Sequence, residues 1–349
     1  RSNTSLRFVN FGFNYHKSKN FNRLFSMGGA LDNMSQSFQL AQEMERYGLT
    51  ESEFNDILDA KNPYTKYWNQ LPVLGVMGVR TGVVDWFNDP EKNIHAPWGW
   101  NGFNNNFFSK ETGGISQYDF NVSFNIEDRV YLGATLGVYD VNYDRYTSYT
   151  ENLNDDKGAD NGGYTLDNYY RLEGTGMDLK LGVIVRPIES SPFRLGFAVH
   201  TPTWYDLRES YNATLSSDIL AYEKPYIQTL SDFLVTPEYD YLTYDYNLTT
   251  PWKFNVSAGT TFAGAVAVGA EYEYQDYSSS KLKDVDGYEL GDQPSVENYL
   301  KGVHTFRIGM ETRIIPEFSI RAGYNYSSAA FSKDAYSALS LYSTRTDFN

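Results

Sequence analysis

Period-two alternation runs through most of this chain. In Tyr118–Ile126, the residues Tyr118, Phe120, Val122, Phe124 and Ile126 interleave with Asp119, Asn121, Ser123 and Asn125. The pattern repeats in Val130–Tyr139, Met177–Arg186, Phe193–His200, Trp252–Gly259, Val266–Tyr274, Phe306–Ile314 and Phe318–Asn325, and less cleanly in Leu6–Tyr15. Side chains along a strand point alternately to its two faces, so each segment predicts a strand with one apolar and one polar face. These strands run to ~10–14 residues, where soluble sheets use ~5–6 and membrane-crossing strands need ~9–11.

The connections differ by side. Short turns fall at Glu127–Arg129, Pro187–Pro192, Ala263–Gly264 and Ile315–Glu317. Long polar stretches fall at Tyr143–Gly174, Thr203–Thr250, Tyr277–Gly302 and beyond Tyr326. Short periplasmic turns and long outer loops are the pattern of outer-membrane barrels. A soluble sandwich, the rival arrangement, has no physical reason to segregate its loops. The expected fold is therefore all-β: a transmembrane antiparallel up-and-down β-barrel, one domain over residues 1–349, in the bacterial outer membrane. Nine strands are legible. Bacterial barrels close with an even number, and an open edge cannot face lipid, so further strands are expected outside this sequence.

Charge assigns the faces. The set opposite the apolar one carries Arg186, Arg194, Glu271, Glu273, Arg307, Glu311, Arg313 and Arg321, together with Asp178, Lys180 and His200. Charges are costly against lipid and tolerated in a wet interior, so these residues predict a polar network in a narrow or occluded lumen. The 30 Tyr, 22 Phe and 6 Trp fit such a wall, and Trp204, Tyr205, Trp252, Tyr274, Tyr277, Phe318 and Tyr326 stand near strand ends, where girdles form. A formal charge of −15 argues against nucleic acid. With no cysteine, thiolate metal sites and cysteine nucleophiles are excluded.

Residues 19–113 have a different texture and are expected as a long extracellular loop segment with short helices. Asp32–Tyr47 and Thr50–Ala60 look helical, with Thr50 and Glu53 as a capping box and Gly48 as a stop. Leu71–Val84 is left open between helix and strand. Leu71, Val76, Trp98, Trp100, Phe103, Phe107 and Phe108 make an apolar set with three readings: a ligand-collecting groove, a protein-docking surface, or the small core of the loop itself.

Nothing reads as catalytic, and no cofactor or metal is implied. Glu271 and Glu273 share one face, but among arginines they suit ion pairing better than acid–base work. His200 reads as a structural histidine. The acidic stretches Asn152–Asp160 and Asp284–Asp292 do not fit the calcium-loop template and read as solvated loops.

Particular runs carry a resemblance: Asn10–Tyr15 with Asn20–Arg23, Tyr131–Gly137, Leu195–Tyr205, Thr250–Phe254 and Tyr272–Ser279. His200-Thr201-Pro202-Thr203-Trp204-Tyr205 is the most specific of them. Together they resemble the FadL-type outer-membrane barrels for long-chain fatty acids and other hydrophobic compounds, in the branch from anaerobic gut- and mouth-dwelling bacteria (Bacteroides-like). The resemblance implies fourteen strands, of which the third to the eleventh are present here, and an N-terminal hatch outside this sequence. It implies passive uptake of fatty-acid-like small molecules, collected on Phe21–Gly113 and released sideways through a kinked wall strand. Relatives of this family also serve as non-transporting subunits of outer-membrane assembly or secretion complexes. The expected partners are therefore outer-membrane lipid, hydrophobic small molecules and, in that alternative, other outer-membrane proteins.

Overall fold

The computed structural model describes residues 6–31, 34–67, 70–91, 94–155, 157–220, 226–229, 243–315, 317–335 and 347–348. The chain opens with strands β1 (Leu6–Asn20) and β2 (Arg23–Ala30). Helices α1 (Gln36–Arg46), α2 (Glu51–Asp59), α3 (Pro63–Lys66) and α4 (Val73–Thr81) follow, then the hairpin β3 (Val84–Asp89) and β4 (Ile94–Gly99). Three long strands come next: β5 (Asn101–Ile126), β6 (Val130–Asn154) and β7 (Asp160–Val185). The rest is β8 (Arg194–His200), β9 (Trp204–Ser217), β10 (Tyr226–Thr229), β11 (Thr243–Thr249), β12 (Lys253–Phe262), β13 (Val266–Asp276), β14 (Lys281–Asp284), helix α5 (Gln293–Tyr299), β15 (Gly302–Ile315), β16 (Phe318–Ser327) and β17 (Asp347–Phe348).

All but β3 and β4 belong to one antiparallel sheet, curled as part of a barrel. Several elements are pieces of one wall strand. β8 and β9 both run along β7 and are parted only at Thr201–Thr203. β11 and β12 are parted at Thr250–Trp252, and β13 and β14 at the turn Tyr277–Ser279. Counted this way, nine wall strands lie side by side from β1 to β16 among the described residues. No helix of the described residues is long and apolar enough to cross a membrane.

Register gives the wall its two characters. One line of directly paired residues crosses all nine strands: Val9, Phe124, Leu132, Val183, Phe197, Val256, Tyr272, Phe306 and Tyr326. Every member is apolar or aromatic. The line one residue further along reads Asn10, Ser123, Gly133, Gly182, Ala198, Asn255, Glu273, Thr305 and Ser327. Adjacent residues face opposite ways, so the first line lies on one face and the second on the other. The apolar face is bare: Leu136, Phe197 and Phe254 are 46%, 49% and 50% exposed. An apolar band of this size cannot stay in water.

Turn chemistry sets the register at the short-turn end. Glu127 and Asp128 between β5 and β6, and Ala263 and Gly264 between β12 and β13, all have positive φ, the central residues of tight turns closed by the Arg129 N–H on the Ile126 carbonyl and the Ala265 N–H on the Phe262 carbonyl. At the other end the expected loops are replaced by wall. The stretch Tyr143–Gly174, read as a polar connection, is paired strand except around residues 155–159. Within Thr203–Thr250, β9 pairs with β11. The outer face of these extensions is wet, and the inner face, under the insert, mixes Tyr149, Glu151 and Tyr164 with Leu153 and Leu166, so the clean apolar–polar alternation that marks a strand fades there.

Three adjacent wall strands break at one level. Pro202 and Pro251 have no N–H for the ladder, and side chains mend the gap. The Leu179 N–H donates to Thr201 Oγ1 (3.0 Å), the Thr203 N–H to Thr250 Oγ1 (2.8 Å), and the Thr250 N–H to the Thr203 carbonyl (3.0 Å).

The helices form an insert with its own core. Met44, Ile57, Met77 and Val84 are wholly buried. Thr50 and Glu53 make the expected capping box, and Gly48 sits at φ 79° just past α1. Leu71–Val84 resolves as helix α4 and the start of β3. The insert packs on Leu153, Tyr164, Leu166, Ala213 and Leu215 of the wall extension. Tyr164 and Leu166 share the parity of Asp178 and Lys180 along unbroken pairing of β7, so the insert covers the polar, inward side of the wall.

Candidate functional site

The inward face at the level of the apolar band holds a pocket of about 460 Å³. Its floor is the small-residue line Ser123, Gly133, Gly182 and Ala198, contributed by four neighbouring strands. A Cβ placed on Gly133 would meet nothing within 4 Å, and one on Gly182 nothing closer than 3.8 Å. The pocket therefore exists because these two positions carry no side chain. Tyr131 and Ile184 close it toward the short turns and His200 toward the insert, while Asn255 continues the floor line on the next strand. Ser257 and Glu271 form one flank.

Charged residues surround the pocket in two groups. In the first, Arg307 Nη1 binds Glu271 and Glu273 (3.2 Å), and Lys253 stands 3.6 Å from Glu273. Asn255 Nδ2 donates to both carboxylates, at 3.2 and 3.1 Å. In the second, Lys180 lies 3.0 Å from Asp119 and 3.7 Å from Asp178. Gln117 donates to Asp119 (2.9 Å) and the Tyr139 hydroxyl to Asp178 (2.7 Å). His200 pairs in register between Lys180 and Lys253 and so joins the groups.

The network expected from the sequence divides. Glu271, Glu273 and Arg307 come together, and Glu311 pairs separately with Arg321 at 2.8 Å. Arg186 is held by the carbonyls of Ser191 (2.8 Å) and Glu189 in its turn. Arg194 lies 5.7 Å over the ring of Tyr131, and Arg313 stands opposite Ser319 at the short-turn end. Asp119, Tyr139 and Lys253 were not singled out. Asp178 and Lys180 stood on the charged set, but nothing within one strand says that Asp119, about 60 positions away, lies beside them.

The apolar set of the insert is also divided. Val76 and Leu71 are in its core, and Trp100 packs against that core with its Nε1–H donated to the Gly82 carbonyl (2.8 Å). Trp98 is 39% exposed, between Phe38 and Phe87. Phe103, Phe107 and Phe108 lie on β5, not in the helical segment. The Phe107 ring lies tilted beside Phe25, and the Phe108 ring beside Tyr146.

Glu151 fixes the insert to the wall. It is wholly buried. Its Oε2 accepts from the Gln36 backbone N–H (3.1 Å), at the start of α1, and from the hydroxyls of Tyr149 (2.8 Å) and Tyr164. Gly102 leaves the room for it, since a Cβ there would collide with Glu151 Oε1 and the Met34 carbonyl. Ser217 of β9 adds a second tie, donating to the Thr81 carbonyl at the end of α4.

The tyrosines at this junction are held neutral. Burial pushes the Tyr211 hydroxyl from 10.0 up to about 12. Burial, and then the Glu151 carboxylate, raises Tyr164 further. The folded junction thus keeps protons that an unfolded one releases, so docking holds below pH 10 and weakens as pH rises through 10 toward 12. Tyrosinate absorbance recorded alongside alkaline proteolysis of the insert should show ionisation and release together. Ionisation of Tyr164 and Tyr211 near pH 10 with the insert still protected would contradict this.

The acidic stretches build turns. Asp155 Oδ1 accepts from the N–H groups of Lys157 and Ala159, both at 2.8 Å, and Asp284 Oδ1 from those of Asp286 and Tyr288. No group of three or more potential metal ligands occurs among the described residues.

No family model matches the sequence, and no curated protein does. Solved structures do. A CymD monoaromatic hydrocarbon channel matches at 15% identity and a TM-score of 0.39, covering 68% of this chain and 69% of that one. A FadL homologue from Pseudomonas aeruginosa matches at 14% and 0.42, covering 70% and 63%. The toluene transporter TodX of Pseudomonas putida matches at 13% and 0.38, covering 66% and 69%. The chain is thus distantly similar to these proteins and spans about two thirds of the length of each.

Proposed function

We propose that this chain supplies wall strands of a bacterial outer-membrane barrel through which small hydrophobic molecules diffuse passively. The observation that carries the reading is the pair of register lines: nine apolar residues facing out, and a small, polar line facing in that floors a pocket. Only a closed antiparallel barrel satisfies its backbone while showing such a face to lipid. The insert covers the inward side and the charged groups fill the space around the pocket, so cargo takes a local route and not a straight bore. The break at Pro202 and Pro251, where backbone pairing gives way to threonine side chains, is the natural place for lateral exit into the membrane. The neighbours described as hydrocarbon and toluene channels agree with cargo of that kind.

The test is uptake of a labelled neutral hydrocarbon by cells producing the full-length protein, with conductance measured in planar bilayers. Uptake well above that of cells lacking the protein, without large stable openings, is expected. Porin-like conductance would overturn the occluded lumen. Absent uptake, with fixed-stoichiometry co-purification of another outer-membrane protein, would put the non-transporting subunit in its place.

A further inference from the structure

The outward face of the wall continues beyond the lipid band. Its apolar run stops at the paired Val138 and Met177. Tyr146 and Tyr169, also paired, keep the same parity about 26 Å further along β6 and β7, at ~3.3 Å per residue. With strands tilted by ~45°, they stand roughly 20 Å above the band. Lipid does not reach them there, and the insert lies on the other face, so neither accounts for exposed rings at this level. The two ring centroids are 4.9 Å apart, and Phe108 lies 6.1 Å from Tyr146. The Tyr146 hydroxyl donates to Asp167 (2.8 Å), which holds that ring, and Tyr169 is 49% exposed.

These rings belong to a trough of about 480 Å³ that crosses β5, β6, β7, β9 and β11. The register line Lys110, Tyr146, Tyr169 and Asn212 forms its far wall, and the next outward line, which includes Asp144 and Arg171, forms the wall nearer the membrane. Between the two lines run Arg145, Tyr170 and Tyr211, whose side chains point inward, so the floor is backbone. Five strands ~4.8 Å apart make the trough roughly 19 Å long, enough for a few sugar rings end to end. Charges of both signs are mixed along it: Arg171 lies 3.9 Å from Asp144 and 2.9 Å from Glu173, and Lys110 stands in the far wall beside Tyr146.

A pyranose has a face of apolar C–H groups and a rim of hydroxyls that both donate and accept. An aromatic ring covers the face, while carboxylate, amide and guanidinium groups beside it take up the hydroxyls. Tyr146 and Tyr169 with Asp144, Arg171 and Asn212 supply that combination. The trough opens sideways from the wall, along the membrane plane, so it faces the layer that surrounds the barrel above the lipid. In an outer membrane that layer is the sugar of the outer-leaflet glycolipid. Nearer the bilayer the same face carries Asp140, Glu173, Asp206 and Asp245 around Arg208, which disfavours lipid phosphates by like charge. We infer that the trough between Tyr146 and Arg171 binds the core sugars of lipopolysaccharide, and that sugar and not phosphate is the part recognised. This rests on the outward face meeting lipid and not on any transport role.

The test uses the full-length protein, captured from detergent, and two labelled probes: lipopolysaccharide with its complete core, and lipid A without core sugars. The core-bearing form should be retained at least about tenfold more tightly than lipid A. Released core oligosaccharide should compete for it, and dextran, a soluble glucan, should not. The double substitution Tyr146→Ala/Tyr169→Ala should remove the difference between the probes, whereas Tyr169→Trp, which keeps a stacking face, should preserve it. Heat-modifiable gel mobility shows that each variant is folded. Equal retention of lipid A overturns the assignment, as does an unchanged preference in the folded double variant. Competition by dextran equal to that of the core oligosaccharide would make this a site for soluble glycans and overturn the glycolipid. Loss of a co-purifying outer-membrane protein from the double variant, with no core preference in the wild type, would make the trough a protein contact instead. Hydrocarbon uptake without a core preference would remove this site and leave the proposed function standing; the preference without uptake would do the reverse.

Discussion

Leu136→Arg should almost abolish folded barrel in the outer membrane. Leu136 is on the bare apolar face, directly paired with Phe120 on one side and Leu179 on the other. Arginine near the bilayer midplane of a barrel costs about 2–4 kcal/mol, which lowers the ratio of folded to unfolded barrel by roughly thirty- to several-hundred-fold. Ser123→Lys is the matched control. It lies on the same hairpin but in the inward line, between Asn10 and Gly133, and should fold normally. Heat-modifiable mobility of the two variants in isolated outer membranes checks both. Equal folding of Leu136→Arg and the wild type would mean that this face is not against lipid, and the membrane reading would fail with it.

Glu151→Ala should free the insert without unfolding the wall. The substitution strips the acceptor from three donors at once: the first N–H of α1 and the hydroxyls of Tyr149 and Tyr164. A buried donor left unsatisfied costs about 1–3 kcal/mol, so the combined loss should reach about 3 kcal/mol or more. That corresponds to a rise of roughly a hundredfold in the open population of the insert. Hydrogen exchange should accelerate in α1 and α4 and stay slow in β12, β13 and β15, which do not touch the insert. Glu151→Gln keeps an acceptor oxygen and should give a smaller effect. Unchanged exchange in α1 after Glu151→Ala would show that apolar packing alone holds the insert in place.

Much of the wall was legible because strand alternation is local. Phe120 and Asp119 must face opposite ways whatever else the chain does, so one strand's residues suffice to say which side is apolar. The capping box at Thr50 and Glu53 and the stop at Gly48 were legible for the same reason, since a helix end is a matter of a few neighbouring residues. Beyond the membrane band this signal fades. Tyr146 and Tyr149 point to opposite sides of β6, Tyr149 toward the insert's core, yet both are tyrosines, so no apolar contrast marks the strand that carries them.

The site needed long-range register. Gly133, Gly182 and Ala198 are ordinary small residues in three separate strands, and only the pairing of β6, β7 and β8 puts them in one line to make a floor. The same holds for Lys180 and Asp119, and most of all for Glu151 and the N–H of Gln36, 115 positions apart. Composition and periodicity determined which face of each strand meets lipid, because that choice depends on the alternate residues of one strand. Which residues meet across strands was decided by hairpin turns and by the docking of the insert, because those contacts join parts of the chain whose sequences carry no record of one another.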